Sequence, residues 1–335
     1  MGIVGWFTGG GHGFLSSTYG MGSDNVLEAT VVLLNGTVVT TNTCSHPDLF
    51  YAIRGGGGGT YGIITSVVMK AYPSPKTTSW LLTVTLQDPS METEWWDLMA
   101  GFSGGLKALK DGGVQGYYFM FGPPVMPTMM LLAAFNLFDK PEGTVDELFG
   151  PFKERLDAVG GAVEYDSNVT TVSSYLESYG GDVENEPVAS NIALGSWLLP
   201  AEAFEDAEAL SAVYREIGPT MNPTKVRVNF SETPTPHCMG EAKRTDQTKM
   251  PGSVIIGHLV ANSDNRDLDT ALNPAWRDAV SHVVLGGGWP EGASDEEIQA
   301  FRDDVTYRQV AALKSLAPDS GAYFNEVSVP LLRGV

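Results

Sequence analysis

Gly57-x-Gly59-x-x-Gly62 matches the dinucleotide-binding fingerprint letter for letter, yet its flanks exclude the fold that fingerprint normally announces. The fingerprint needs a strand before it and a helix after it. Here Pro47–Arg54 reads as a short helix, with Asp48 early in it, and the β-branched run Ile63-Ile64-Thr65-Ser66-Val67-Val68 follows. A Rossmann NAD site is therefore not expected. The rest of the chain agrees. Trp80–Leu86, Gly116–Phe121, Met129–Phe135, Lys225–Phe230 and Val254–Val260 have strand composition. Helical periodicity fits Glu92–Lys110, Val145–Val159, Ala201–Ile217, Pro274–Leu285 and Asp295–Leu316. Thr144-x-x-Glu147 and Ser294-x-x-Glu297 are capping-box signatures. Strands and helices without strict βαβ alternation predict an α+β fold, an antiparallel sheet with helices on one face. No internal repeat is visible.

Residues 1–74 are glycine-dense and rich in β-branched side chains. Thr30–Leu34 and Thr37–Thr41 flank Asn35-Gly36, the strongest short hairpin signal in the chain. Ile63–Ala71 reads as a strand, and Tyr72-Pro73-Ser74-Pro75 closes it as the best domain boundary. The opening run Met1–Trp6 lacks the basic start and long apolar core of a signal peptide, and reads as the end of a strand already inside a domain. At 335 residues the chain exceeds one domain of roughly 150. The predicted division is 1–74, 75–317 and 318–335. Gly321–Glu326 reads as a short strand-like piece, and Val327–Val335 matches no element.

Acidic residues outnumber basic ones 40 to 20, a net charge of −20 that would repel a phosphate backbone, so nucleic acid is excluded as the default partner. No run of 18 apolar residues exists to span a membrane as a helix. Cys44 and Cys238 are too few for a disulfide framework and read as isolated buried thiols. The five histidines, His12, His46, His237, His258 and His282, show no ligand spacing, so a metal has no sequence support; His237 beside Cys238 is a weak pair. A Gly-x-Ser-x-Gly elbow is absent. Glu202, Glu205, Asp206 and Glu208, and likewise Asp295–Glu297, read as solvated helix faces. Trp95-Trp96 and Met129-Met130 read as core. Asn35, Asn168 and Asn229 begin glycosylation-type triplets, a pattern common by chance.

Gly9-Gly10-Gly11-His12-Gly13 follows the apolar run Ile3–Phe7. Consecutive glycines let backbone N–H groups converge on an anion, with no Cβ to block approach; diphosphate binding is the chemistry that needs this. The alternative is a tight turn that uses the glycines only for positive φ.

In order along the chain come Gly9-Gly-Gly-His-Gly13-x-Leu15-Ser16, Tyr19-Gly20-Met21 and Asp24-Asn25-Val26-Leu27. The Asn-Gly hairpin, Pro47-Asp-Leu-Phe-Tyr-Ala-Ile-Arg54 with its glycines, and Tyr61-Gly62-Ile63-Ile64-Thr65 follow. Together these resemble the second half of the flavin domain in FAD-linked oxidases of the vanillyl-alcohol oxidase superfamily (PCMH-type FAD-binding domain), closest to the fungal berberine-bridge-enzyme-like branch. Leu272-Asn-Pro-Ala-Trp-Arg277 and Gly321-Ala-Tyr323-Phe-Asn325-Glu326 resemble later blocks of that branch. The resemblance implies FAD as cofactor, which carries the redox chemistry while the protein supplies binding and orientation. A hydroxyl-bearing or related small molecule would pass hydride to flavin N5, and oxygen would reoxidise the flavin. By position, Gly10, Gly11, His12 and Gly13 would lie along the FAD phosphates and ribose, with Asp24 and Asn25 shaping that loop. Gly62, Ile63 and Ile64 would offer backbone groups toward the adenine. Tyr323 and Asn325 resemble the family's Tyr-x-Asn pair, which reaches back to the flavin ring; Tyr323 is the candidate catalytic residue, as general base or as orienter of the substrate hydroxyl. The resemblance makes 1–74 a partial flavin domain, 75–317 a substrate domain and 318–335 the start of the return to the flavin.

Three departures matter. Nothing here corresponds to the family's first flavin half, with its pyrophosphate loop and flavin-attaching His, and the sequence after Glu326 departs from the family's closing segment. Ser196-Trp197-Leu198 stands where the family has Ser-Arg-Leu. The expectation is a truncated or mis-spliced product or natural fragment with impaired or absent activity. A flavin-free remnant and a substrate-domain module with another ligand are the alternatives. Neither the substrate, the compartment nor a protein partner is indicated.

Overall fold

The computed structural model describes residues 2–178, 191–221 and 254–327. Its strands form two sheets. β1 (Val26–Val32), β2 (Val38–Thr41) and β3 (Ile63–Met69) make a small sheet in the order β2-β1-β3. β4 (Thr77–Leu86), β5 (Gln115–Phe121), β6 (Met130–Phe138), β7 (Val163–Val172), β8 (Ile192–Pro200), β9 (Val254–Leu259) and β10 (Ala279–Gly288) make a larger one in the order β7-β4-β6-β5-β9-β10-β8. Every pairing is antiparallel, so the α+β expectation holds. The helices are α1 (Ile3–Thr8), α2 (Ser16–Tyr19), α3 (Pro47–Ile53), α4 (Glu92–Gly104), α5 (Leu106–Asp111), α6 (Thr144–Val159), α7 (Tyr175–Ser178), α8 (Ala207–Ile217), α9 (Ala275–Asp278), α10 (Asp295–Asp304) and α11 (Val310–Leu316).

Strand alternation divides the large sheet into two faces with different tasks. Trp80, Leu82 and Val84 of β4, with Tyr118 and Met120 of β5, point into a core shared with Trp95, Trp96, Met99 and Phe102 of α4 and Leu210 and Tyr214 of α8. Trp95, Trp96 and Met129 are thus core, as expected. Gly257 of β9 pairs with Tyr118, and a Cβ there would sit 1.8 Å from Tyr118 Cζ, so only glycine fits. The opposite face carries Tyr117, and Leu198 on that face packs with Met21, Leu272, Trp276 and Tyr323. Segments from both ends of the chain, with the short helix α9, thus cover the face opposite α4 and α8.

The small sheet buries Val26, Ala29, Val31 and Val39 with Phe7, Phe50 and Ile53. Its turn is the predicted one: Asn35 Oδ1 accepts from the Thr37 amide at 2.9 Å, and Gly36 takes a φ of +82°. Several expectations are corrected. Ile3–Thr8 is a helix and not a strand end, because Phe7 turns into the small core. Pro274–Leu285 is a four-residue helix followed by β10; the strand is inserted between β9 and β8 and buried throughout its first eight residues, so its apolar run carries no period. Gly321–Glu326 joins no sheet and ends in a 3-10 turn, Phe324–Glu326. Gly105 separates α4 from α5, Ala201–Ile217 is a 3-10 turn followed by α8, and a π turn at Val305–Gln309 interrupts the last predicted helix. Ser294 forms its capping box, whereas Thr144 turns its hydroxyl to the Pro141 carbonyl. β7 and β8 were not anticipated. Cys44 is exposed, not buried. Lys225–Phe230, Asn229, His237 and Cys238 lie outside the described residues.

Candidate active site

On the face opposite α4 and α8 the register of three adjacent strands sets one polar row. Tyr117 of β5 stands opposite His258 of β9, and His258 stands opposite His282 of β10. The two imidazoles meet Nδ1 to Nδ1 at 3.0 Å, so one donates and the other accepts. His12 covers the row from the glycine loop, its ring centroid 4.8 Å from that of His258 and 5.6 Å from that of His282. Its Nδ1 lies 3.4 Å from the Tyr117 hydroxyl, and its Nε2 lies 3.4 Å from Glu326 Oε1. Glu326 Oε2 is 3.7 Å from His282 Nδ1. Trp276 and Tyr323 wall the cluster, with ring centroids 5.0 and 5.7 Å from His282. Burial, and secondarily the neighbouring imidazoles, hold His258 and His282 well below the usual histidine range, so both are neutral near pH 7. Among the described residues, His282 Nε2 and Glu326 Oε2 are buried with no hydrogen-bond partner.

The glycine loop is tied down at its start and open at its end. The Gly10 amide donates to the Phe7 carbonyl, and the Gly11 amide to the Tyr323 hydroxyl. Their carbonyls accept from the Ser23 and Gly22 amides at 2.9 and 2.7 Å. No described residue accepts from the His12 or Gly13 amide, and a Cβ on Gly13 would meet nothing within 4 Å. Gly9 is different: a Cβ there would lie 2.5 Å from Asn325 Nδ2. Asn325 itself donates to the Tyr323 hydroxyl at 2.8 Å and to the Gly5 carbonyl at 3.2 Å. The second glycine run joins the same place, its Gly57 amide donating to the Thr8 carbonyl and Phe324 packing on Gly57.

No family model matches the chain. An uncharacterised FAD-linked oxidoreductase of Arthroderma benhamiae is 31% identical over 97% of this chain and 52% of its own length. The FAD-linked oxidoreductase patO of Aspergillus clavatus is also 31% identical, over 97% of this chain and 51% of its own. The solved structure of the VAO-type flavoprotein MtVAO713 from Myceliophthora thermophila C1 superposes with a TM-score of 0.81 at 29% identity, covering 97% of this chain and 54% of that one. Over nearly its whole length the chain is similar to FAD-linked oxidoreductases and to a VAO-type flavoprotein. It spans about half the length of the curated relatives it matches.

FAD is the cofactor of these relatives, and the residues present fit part of it. The unpaired His12 and Gly13 amides beside open space suit an anionic or carbonyl oxygen, whereas Gly9–Gly11 are already covered by Asn325, Tyr323 and Trp6. Of the residues singled out from sequence, Gly10, Gly11, His12, Gly13, Tyr323 and Asn325 come together. Asp24 and Asn25 lie behind the loop with their polar atoms engaged. Asp24 takes a forked pair from Arg277 at 2.7 and 2.8 Å, and Asn25 Nδ2 donates to the carbonyls of Tyr19, Gly20 and Met21. Gly62, Ile63 and Ile64 sit apart at the start of β3, an edge strand of the small sheet, with Ile64 opposite Val31. The Tyr323 phenol is pushed above its usual value by burial and, after that, by Glu326, against hydrogen bonds from Asn325 and Gly11. It keeps its proton near pH 7, so this setting offers an orienting hydroxyl and no ready phenolate base. Sequence reasoning missed Tyr117, His258, His282 and Glu326 as a site. The histidine pair is 24 residues apart and united only by sheet register.

Proposed function

We propose that this chain forms the flavin-facing and substrate-facing part of an oxidase that moves a hydride from a hydroxyl-bearing small molecule to flavin N5, with oxygen as the final acceptor. FAD would supply the hydride-accepting chemistry. The His12 and Gly13 amides would bind its polar atoms, with Gly10 and Gly11 letting the loop pass close to Tyr323. Residues 1–74 would serve the flavin and 75–317 the substrate, and the segment from 318 would close one onto the other. Asp24 and Asn25 would fix the loop from behind, and the outer edge of β3 at Gly62–Ile64 would remain open to the adenine end. Tyr323, held by Asn325, would orient the substrate hydroxyl. The row Tyr117–His258–His282 would offer that hydroxyl neutral hydrogen-bonding groups in a dry setting, where such contacts are strong.

One observation carries this reading: the glycine loop, the Tyr323–Asn325 return and the buried histidine pair converge on the sheet face opposite the α4–α8 core. The test is the visible spectrum of the purified chain after desalting in added FAD, followed by hydrogen peroxide release with alcohol and sugar substrates. A flavin band that survives desalting is the expected result, with peroxide release weak or absent. Colourless protein overturns the proposal in favour of a flavin-free binding module.

A further inference from the structure

We infer that His12, His258, His282 and Glu326 form a binding site for one divalent transition-metal ion. Each offers one ligand atom, and these atoms all lie within 4.8 Å of one another. A tetrahedral ion with bonds of about 2.1 Å keeps its ligand atoms about 3.4 Å apart. Contacts near that spacing are 3.0 Å between the two Nδ1 atoms, with one Glu326 oxygen 3.4 Å from His12 Nε2 and the other 3.7 Å from His282 Nδ1, either of which could turn to the ion. Closing the widest pair asks for a shift of about an ångström or more, and the movable partners are available. Strands β9 and β10 fix the histidine pair, while His12 rides on a glycine loop and Glu326 on a terminal turn.

Hydrogen bonding within the cluster leaves it incomplete. One shared proton joins the two Nδ1 atoms, but Glu326 Oε2 remains a buried carboxylate oxygen without a partner. Such an atom is costly unless a cation or donor meets it. The Tyr117 hydroxyl at His12 Nδ1 holds the ring so that Nε2 faces Glu326, the kind of outer contact that orients metal-bound imidazoles. Three imidazole nitrogens and one carboxylate oxygen, with no thiolate, suit zinc, cobalt, nickel or copper and disfavour magnesium and calcium, which prefer all-oxygen sites. This inference goes beyond the oxidase reading: metal binding needs neither flavin nor turnover.

The test is titration of the chelator-stripped full chain with cobalt(II), read by calorimetry and by the cobalt d–d absorption bands. One equivalent should bind with a tetrahedral-type spectrum, and zinc should displace it. Glu326→Gln, at a partly exposed turn, and His282→Asn should each weaken binding by about tenfold or more while circular dichroism stays unchanged. Glu296→Gln, on an exposed helix face, should bind as the parent does. Absence of saturable one-to-one binding, or a folded Glu326→Gln protein whose affinity falls less than tenfold, overturns the inference.

Discussion

Asp24 and Arg277 stand 253 positions apart in sequence and meet as a forked ion pair whose side chains are 1% and 6% exposed. Asp24 also accepts from the Met21 amide, so the pair fastens the loop behind the glycine run to the element that follows β9. Removing one partner strands the other charge in the interior. Arg277→Met should therefore cost about 3–5 kcal/mol in urea unfolding, while Arg277→Met combined with Asp24→Leu should recover most of it. At Gly257 the constraint is steric. A methyl would collide with a fully buried tyrosine ring, and Gly257→Ala should lose about 2–3 kcal/mol, read as a lower urea midpoint. Tyr323 and Asn325 were legible in the sequence because two neighbouring residues carry the pattern. Glu326 was not: its partners come from a loop and two strands elsewhere in the chain.

Among the elements, α5 supplies a buried ammonium. Lys110 donates to the Ala279 carbonyl at the start of β10, and burial pushes its pKa down to about 8 from 10.5. Below about pH 8 both folded and unfolded chains hold that proton, and the burial penalty is fully expressed. Between about 8 and 10.5 the unfolded chain keeps the proton and the folded chain releases it. Stability of the parent relative to Lys110→Met should rise through that window by up to about 3 kcal/mol, measured by unfolding at a series of pH values. At α10, Ser294 Oγ accepts from the Glu297 amide, and Ser294→Ala should cost about 1 kcal/mol by thermal unfolding. Caps and turns of this kind are local, so Ser294 and Asn35-Gly36 could be read directly. β10 could not. Its apolar run fits helix and strand equally well in isolation, and only neighbours on both edges make it a strand.

Across the whole molecule the two sheets differ in how fully they are covered. The small sheet leaves both outer strands without further partners among the described residues, and Ile63, Val38 and Val68 are 70%, 63% and 51% exposed. Open apolar edges recruit other edges. Sedimentation of the purified chain should show concentration-dependent association, and Ile63→Lys with Val68→Lys should reduce it without lowering the melting temperature by more than a few degrees. Sequence by itself determined the class of fold, the glycine loops, the hairpin, most of the amphipathic helices and the likeness to FAD-linked oxidases, because each rests on short-range pattern or on ordered motifs that need no partner. Tertiary structure alone decided that His12, His258, His282 and Glu326 share one cluster, and that Asn325 closes over Gly9. Side-chain spacing along the chain carries no trace of such contacts: they are fixed by strand register and by segments from opposite ends packing on the same sheet face, where burial then sets the charge of each group.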